Sequence, residues 1–292
     1  MRNLFTERLL SPLRQAEHYR LSAVLELSQL SAEQLESLGQ REHGTLYPLM
    51  QQYELNNLRQ IGAALYNVNT STLQGQSDFF WELSDCAADA LCGWIISSLP
   101  TAALAAHLAQ ANTVRAPDGQ RYLLRYHTEQ CLRVLHARTD LPGITEWFAP
   151  IHSWWVPYPD ANEETWCCVM GGGTSESVEV NGLALDPACW EALAADPLEH
   201  RLADQLKGSL KASRQTAHRH SVRLGRVRKY LAAAREAGFV EQQDLITYVT
   251  SLALLGDGLT VDPRWQAAID ESLEQGQPLA QHLHTHLNHS LR

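Results

Sequence analysis

Apolar and polar positions follow two different rhythms along this chain. In its first half they gather into short strand-length runs separated by helical or polar segments. Leu21–Leu27 (LSAVLEL), Ile61–Val68 (IGAALYNV) and Leu91–Ser97 (LCGWIIS) read as strands. Ser31 with Gln34 three residues on forms a capping-box pattern and opens a helix to about Gly39. Asp78–Ala90 reads as a helix, and Pro100 suits the first turn of another over Thr101–Gln110. In Thr113–Tyr126 (TVRAPDGQRYLLRY) the turn residues Pro117-Asp118-Gly119 join two strand-forming runs into a hairpin. A helix from Thr128 to about Arg138 follows. The aromatic run His152–Tyr158 (HSWWVPY), the polar loop Asp160–Glu164 and Thr165–Met170 (TWCCVM) predict a second hairpin. Strands alternating with helices predict a mixed α/β lobe built on a mixed sheet.

Beyond Gly171-Gly172-Gly173 the rhythm changes to three- and four-residue steps. Asp186-Pro187, Asp196-Pro197 and Asp262-Pro263 each place an N-cap Asp before a Pro at the first helical position. Leu224, Val227, Leu231 and Ala234 form a helical stripe ending at Gly238, and Leu245, Val249 and Leu252 form another ending at Gly256. No strand is predicted after about residue 185, and five or six short helices are. The fold class is α+β: a mixed α/β lobe over 1–180, then an all-helical lobe over 181–292.

Charge supports this division. Residues 1–185 hold 11 Arg and no Lys against 20 acidic residues, whereas residues 186–292 hold 12 basic and 13 acidic ones, so nearly all of the net −10 falls in the first part. With 45% hydrophobic and 19% charged residues the composition is that of a globular protein and excludes general disorder. The apolar stretch around Ala90–Ile96 is far short of the ~20 residues a membrane span needs. Arg2, Glu7 and Arg8 interrupt the N-terminal apolar residues, which argues against a secretory signal and for a cytoplasmic location. There Cys86, Cys92, Cys131, Cys167, Cys168 and Cys189 stay reduced, and without a Cys-x-x-Cys pair they predict no zinc knuckle.

No catalytic, cofactor-binding or metal-ligating residue is assigned. Gly171-Gly172-Gly173-Thr174 lacks the Lys-Ser/Thr of a phosphate loop and reads as a flexible linker. His282, His284, His286 and His289 crowd the C-terminal segment, with His282 and His286 one helical turn apart. No carboxylate lies between them in a His-Glu-x-x-His pattern, so they read as a solvated face. Cys86 beside Asp85 and Cys131 near His127 are the nearest approach to a nucleophile, and both cysteines read as structural. A hydrolase-like enzyme with a site assembled from scattered Cys, His and acidic residues is the alternative function.

Two features predict partner surfaces. Lys207 to Lys229 carries eight basic residues without an acidic one. Lys207, Lys211 and Arg214 share one helical face, and Arg219, Arg223 and Arg226 another, which reads either as a solvated face opposite the Leu224/Val227/Leu231 stripe or as a docking surface for an acidic protein. The overall negative charge opposes nucleic acid as the partner. Alternation along His152–Tyr158 puts Trp154, Val156 and Tyr158 on one strand face and Trp155 on the other, and either face offers aromatic contacts, although core burial is the commoner fate.

Gly93-Trp94-Ile95-Ile96-Ser97-Ser98, the helix ending at His107-Leu108, Val114–Gly119, Leu123-Leu124-Arg125-Tyr126 and Ala149-Pro150-Ile151 follow one another in a familiar order. Their order resembles the bacterial effector chaperones of type VI secretion, the Tap-type adaptors long catalogued as a domain of unknown function. A weaker similarity covers Ala232–Pro263. The sequence departs from the family pattern at His127-Thr128-Glu129, where Asp-Pro-Arg is usual, at Ala149, where Gly is usual, and at the end of the first strand, which lacks Asp-Gly. The resemblance implies a cytoplasmic adaptor without enzymatic activity or cofactor. Such an adaptor binds a toxic effector as cargo and delivers it to the spike protein VgrG, at its C-terminal region, with no nucleic acid or membrane partner. It further implies that the α/β lobe engages the spike and the helical lobe helps to grip the effector.

Overall fold

A computed structural model describes residues 4–40, 44–70, 72–180, 182–194, 198–212 and 219–287. The chain divides into two compact units, Met1–Tyr158 with Trp166–Ala195, and Pro159–Thr165 with Asp196–Arg292. In chain order the first unit contains α1 (Leu4–Gln15), β1 (Arg20–Glu26), α2 (Ala32–Gln40), β2 (Gly44–Pro48), β3 (Ala63–Val68), α3 (Leu73–Ala87) and β4 (Leu91–Ser97). It continues with α4 (Thr101–Ala109), β5 (Thr113–Arg115), β6 (Arg121–Leu123), α5 (Glu129–His136), α6 (Ile144–Phe148), β7 (Ile151–Tyr158), β8 (Thr165–Met170) and α7 (Pro187–Leu193).

Six strands form one sheet in the order β2-β3-β1-β4-β7-β8, and β5-β6 form a separate hairpin. The pairings of β1 with β3 and β4, of β2 with β3 and of β4 with β7 are all antiparallel. This corrects the expected mixed sheet. Alternating strands and helices do connect parallel strands here, β3 to β4 through α3. The antiparallel β1 lies between them, which is a split βαβ arrangement. Helix alternation in a sequence reports the crossover but not the strand inserted into it.

The two-residue period of the strands sorts the core onto both sheet faces. Leu21, Ala23, Leu25, Ala64, Tyr66, Trp94, Ile96 and Trp155 meet Leu9, Leu10, Leu38, Phe79 and Phe80 of α1, α2 and α3. Val24, Ala63, Leu65, Ile95, Trp154 and Val156 meet α4, α5 and α6 through Leu104, Leu108, Leu132, Leu135 and Trp147. Gly93 in β4 makes room for this second layer, because a Cβ there would press on the Trp154 indole and the Trp155 carbonyl.

Local signals hold where side chains bond to the backbone. The Ser31–Gln34 capping box is reciprocal, with N–H to side-chain distances of 2.8 and 3.1 Å. Thr128 caps α5 by accepting from the Cys131 N–H at 3.4 Å, and Asp186 caps α7 by accepting from the Cys189 N–H at 2.8 Å. Gly119 takes φ +82° in the β5-β6 turn, as the Pro-Asp-Gly reading requires.

The glycine run is not a linker. Gly171, Gly172, Gly173 and Thr174 donate their N–H groups to His152, Phe148, Ile151 and Ala149, at 2.9–3.3 Å. A Cβ on Gly171 would collide with the carbonyls of Phe148 and Ile151. Gly171 and Gly172 are glycines because two backbones touch and Gly173 because its φ is +62°, and the chain stays in the first unit through α7. Val180 and Leu183 are buried in that unit's core.

The second unit holds α8 (Leu198–Ala212), α9 (His220–Glu236), α10 (Gln242–Leu255), α11 (Pro263–Gln275) and α12 (Leu279–Leu287). No strand lies beyond residue 185 among the described residues. The predicted stripes are buried: Leu224, Val227, Leu231 and Ala234 of α9 meet Leu245, Val249 and Leu252 of α10. Gly238 takes φ +107° just past the end of α9. Asp262 caps α11 through the Arg264 N–H at 2.9 Å. The Asp196-Pro197 cap lies outside the described residues.

Candidate functional site

The aromatic run supplies core rather than surface. Trp154 is fully buried, 6.0 Å from the Trp147 ring and 6.3 Å from Tyr126. Trp155 is buried on the opposite face, 5.4 Å from Phe5. Alternation separates the two as expected, and helices cover both faces, so neither tryptophan offers a surface to a partner. Tyr158, at the end of β7, is 38% exposed, with the Arg133 guanidinium 5.2 Å from its ring centre.

The basic run turns inward as well. Arg223 is 2% exposed and its Nε donates to the Ala203 carbonyl at 2.9 Å. The expected docking face therefore loses its central residue, which bonds α9 to α8. Arg226 donates to the Ala161 carbonyl at 3.0 Å, and Arg219 pairs with Glu164 at 3.3 Å. Gly225 lets the loop approach so closely that a Cβ would collide with the Asp160 backbone. Arg228 pairs with Glu199 and Lys229 with Asp257, at 2.8 and 2.6 Å. Arg214 lies outside the described residues, and the Lys211 side chain does too.

A shallow pocket of about 240 Å³ in the second unit is lined by Asn162, Arg226, Lys229, Tyr230 and Asp257, among others. Bonds from Lys229 and then Tyr230 hold the Asp257 carboxyl below its ordinary value. Its polar groups thus satisfy one another. The histidine-rich segment is a solvated face only in part: His284 is exposed, but His282 is buried, and His282 and His286 both bond to Glu271, at 3.2 and 3.0 Å. His289 lies outside the described residues. No group of three or more His, Cys, Asp or Glu is arranged to hold a metal among the described residues.

None of the six cysteines forms a disulfide, and desolvation raises the thiol pKa of several. Burial pushes Cys92 and Cys131 up to about 12 and Cys168 up to about 11, and raises Cys189 too. Such thiols hold little thiolate at neutral pH, the opposite of an activated nucleophile. Cys131 is buried in the core cluster beside Leu132 and Leu135.

One charged cluster escaped the sequence reading. Glu26 at the end of β1 meets buried His127 at 2.8 Å and Arg125 at 3.1 Å. Burial alone would raise the Glu26 pKa, but the bond and charge of His127, with Arg125, outweigh it and hold the carboxyl low. Their separation by about a hundred residues hid the pairing. The only signal was that both the strand end and His127 depart from the family pattern, and the structure brings these two positions together.

Beside this cluster a band of the surface combines arginine with aromatic and aliphatic groups. The 3₁₀ helix Tyr53–Leu58 carries Tyr53, 93% exposed, and Glu54, which pairs with Arg121 of β6 at 3.5 Å. Ile61 and Leu123 are exposed as well. Residues 21–146 match the profile of a family described as a domain of unknown function, DUF4123. The DUF4123 match begins in β1 and ends in α6, so it contains the Glu26 cluster and this band. It stops before β7, α7 and the helices of the second unit. No curated protein and no solved structure matches the chain.

Proposed function

We propose that the chain is a non-enzymatic cytoplasmic adaptor of type VI secretion that binds an effector and loads it onto the VgrG spike. The observation that carries this reading is the DUF4123 match over residues 21–146, which spans most of the motifs resembling the Tap-type chaperones. Two compact units give such an adaptor separable surfaces, one for the spike and one for cargo. The elevated thiol pKa values of Cys92, Cys131 and Cys168 favour a binding protein over a cysteine hydrolase. No helix among the described residues is long and apolar enough to cross a membrane.

The test is co-expression of the full chain with an intact candidate effector and with VgrG carrying its own C-terminal region. Capture of both proteins on the tagged chain is the expected result. Capture of neither overturns the reading, as does turnover of a hydrolase substrate lost on replacing Cys131 or His127.

A further inference from the structure

We propose that the band formed by the Tyr53–Leu58 helix, Ile61 and the β5-β6 hairpin docks an acidic polypeptide segment bearing apolar side chains. The proposal rests on the adaptor reading only in taking the partner to be a protein.

Charge identifies the occupant. Residues 1–185 hold 20 acidic residues and only 11 arginines. Four of those arginines, Arg59, Arg115, Arg121 and Arg125, belong to this one band, and all four are exposed. Glu26, Glu54 and Asp118 accompany them, the first two paired with Arg125 and Arg121, so the band carries a net charge of only +1, a locally positive spot on a strongly acidic lobe. Long-range repulsion by the rest of the lobe disfavours a polyanion such as nucleic acid, while a short acidic segment gains from the local arginines. Every cation here is an arginine, whose planar guanidinium pairs with a carboxylate through two bonds and gives up its hydration readily.

Apolar groups sit among these charges. Tyr53, Ile61 and Leu123 are between 39% and 93% exposed, and alternation puts Leu123 on the Arg121 face of the hairpin, with Tyr122 on the other face beside buried Val114. Arginine and tyrosine around aliphatic contacts is the composition of binding hot spots. The surface is also rigid. Arg121 bonds to Thr113 across the hairpin at 3.0 Å and the Tyr122 ring lies 5.0 Å from Trp190. Asn112, buried beneath, bonds to the Leu49 carbonyl at 2.6 Å and to Gln52 at 2.7 Å. Little ordering cost is left for binding.

The test uses the full chain and a fluorescein-labelled peptide that alternates Asp or Glu with Leu or Phe. A peptide with Lys at the acidic positions and a single-stranded oligonucleotide serve as comparators. The acidic peptide should bind with marked salt dependence, and the triple variant Arg59→Glu, Arg115→Glu, Arg121→Glu should weaken it about tenfold or more. Tyr53→Ala with Ile61→Ala should weaken it at high salt as well, with thermal unfolding unchanged. Absence of acidic-peptide binding, equal binding of both peptides, tighter binding of the oligonucleotide, or variants binding like the parent would each overturn the proposal. Effector and VgrG capture separates the two readings. Capture indifferent to the charge reversal removes the band and leaves the adaptor. Peptide binding lost on charge reversal, without capture of either protein, removes the adaptor and leaves the band.

Discussion

The two units use arginine in opposite ways. In the first, Arg59, Arg115 and Arg121 are scattered through the sequence and stand exposed on one surface band. In the second, Arg219, Arg223 and Arg226 are concentrated in one run and directed into contacts within the unit. Charge density along the sequence points to arginines that the fold turns inward. What decides is the helix carrying the run. Val222 and Leu224 lie about 200° apart around α9, yet both are buried, with Arg223 between them. A helix apolar on more than one face is surrounded, and a charged residue there goes inside with it.

The largest effects should come from the buried residues once assigned to partners. Trp154→Ala should cost about 4 kcal/mol in chemical denaturation of the full chain, the usual result of emptying a large aromatic site. Trp154→Phe should cost far less, since the indole Nε1 has no hydrogen-bond partner among the described residues and its loss breaks no bond. Arg223→Ala should follow at about 3 kcal/mol, from lost packing and the lost buried bond to the Ala203 carbonyl. If Arg223→Ala were as mild as Arg121→Ala, the contrast between the units would collapse.

How legible all this was depends on the range of each interaction. The capping box at Ser31 and Gln34, the Asp186 and Asp262 caps, the Gly119 turn and the α9 and α10 stripes are set within a few residues, and the sequence displayed them. β2 and α6 did not stand out, since Gly44–Pro48 is a five-residue edge strand and Ile144–Phe148 barely more than a helical turn. The glycine run misled because a glycine needed for close backbone approach looks like a glycine needed for flexibility. Glu26 and His127, like Glu54 and Arg121, meet only through the tertiary fold. Each side chain of the candidate band was visible, and their assembly was not.

The Glu26 cluster sharpens the comparison through pH. Its folded carboxyl pKa lies below the ordinary 4.5, so the stability it contributes is fully present above that value. The contribution is lost as pH falls from there through the folded pKa. Glu26→Gln should cost about 2 kcal/mol at neutral pH, the worth of hydrogen bonds to a charged, partly buried group. The gap between parent and variant should close below about pH 4 as the parent's carboxyl protonates. A gap unchanged down to pH 3 would mean that shape and not charge holds His127 and Arg125 in place. Acid should therefore loosen the strand end beside the exposed arginines, a change that unfolding curves across this window detect.

The smallest effect is the most discriminating. Arg59→Ala and Arg121→Ala remove exposed side chains, and the 3.5 Å Arg121–Glu54 pair is more than half exposed on both sides. Solvent screens such a pair, so each variant should lie within about 0.5 kcal/mol of the parent. A protein that keeps Arg59 and Arg121 exposed on an acidic lobe without gaining stability from them keeps them for something outside the fold, whereas Arg223 is kept for the fold itself. If Arg121→Ala costs more than about 1 kcal/mol, the pair with Glu54 is a structural strut. The two sets of arginines would then serve the same end, and the case for a docking band would lose its physical basis.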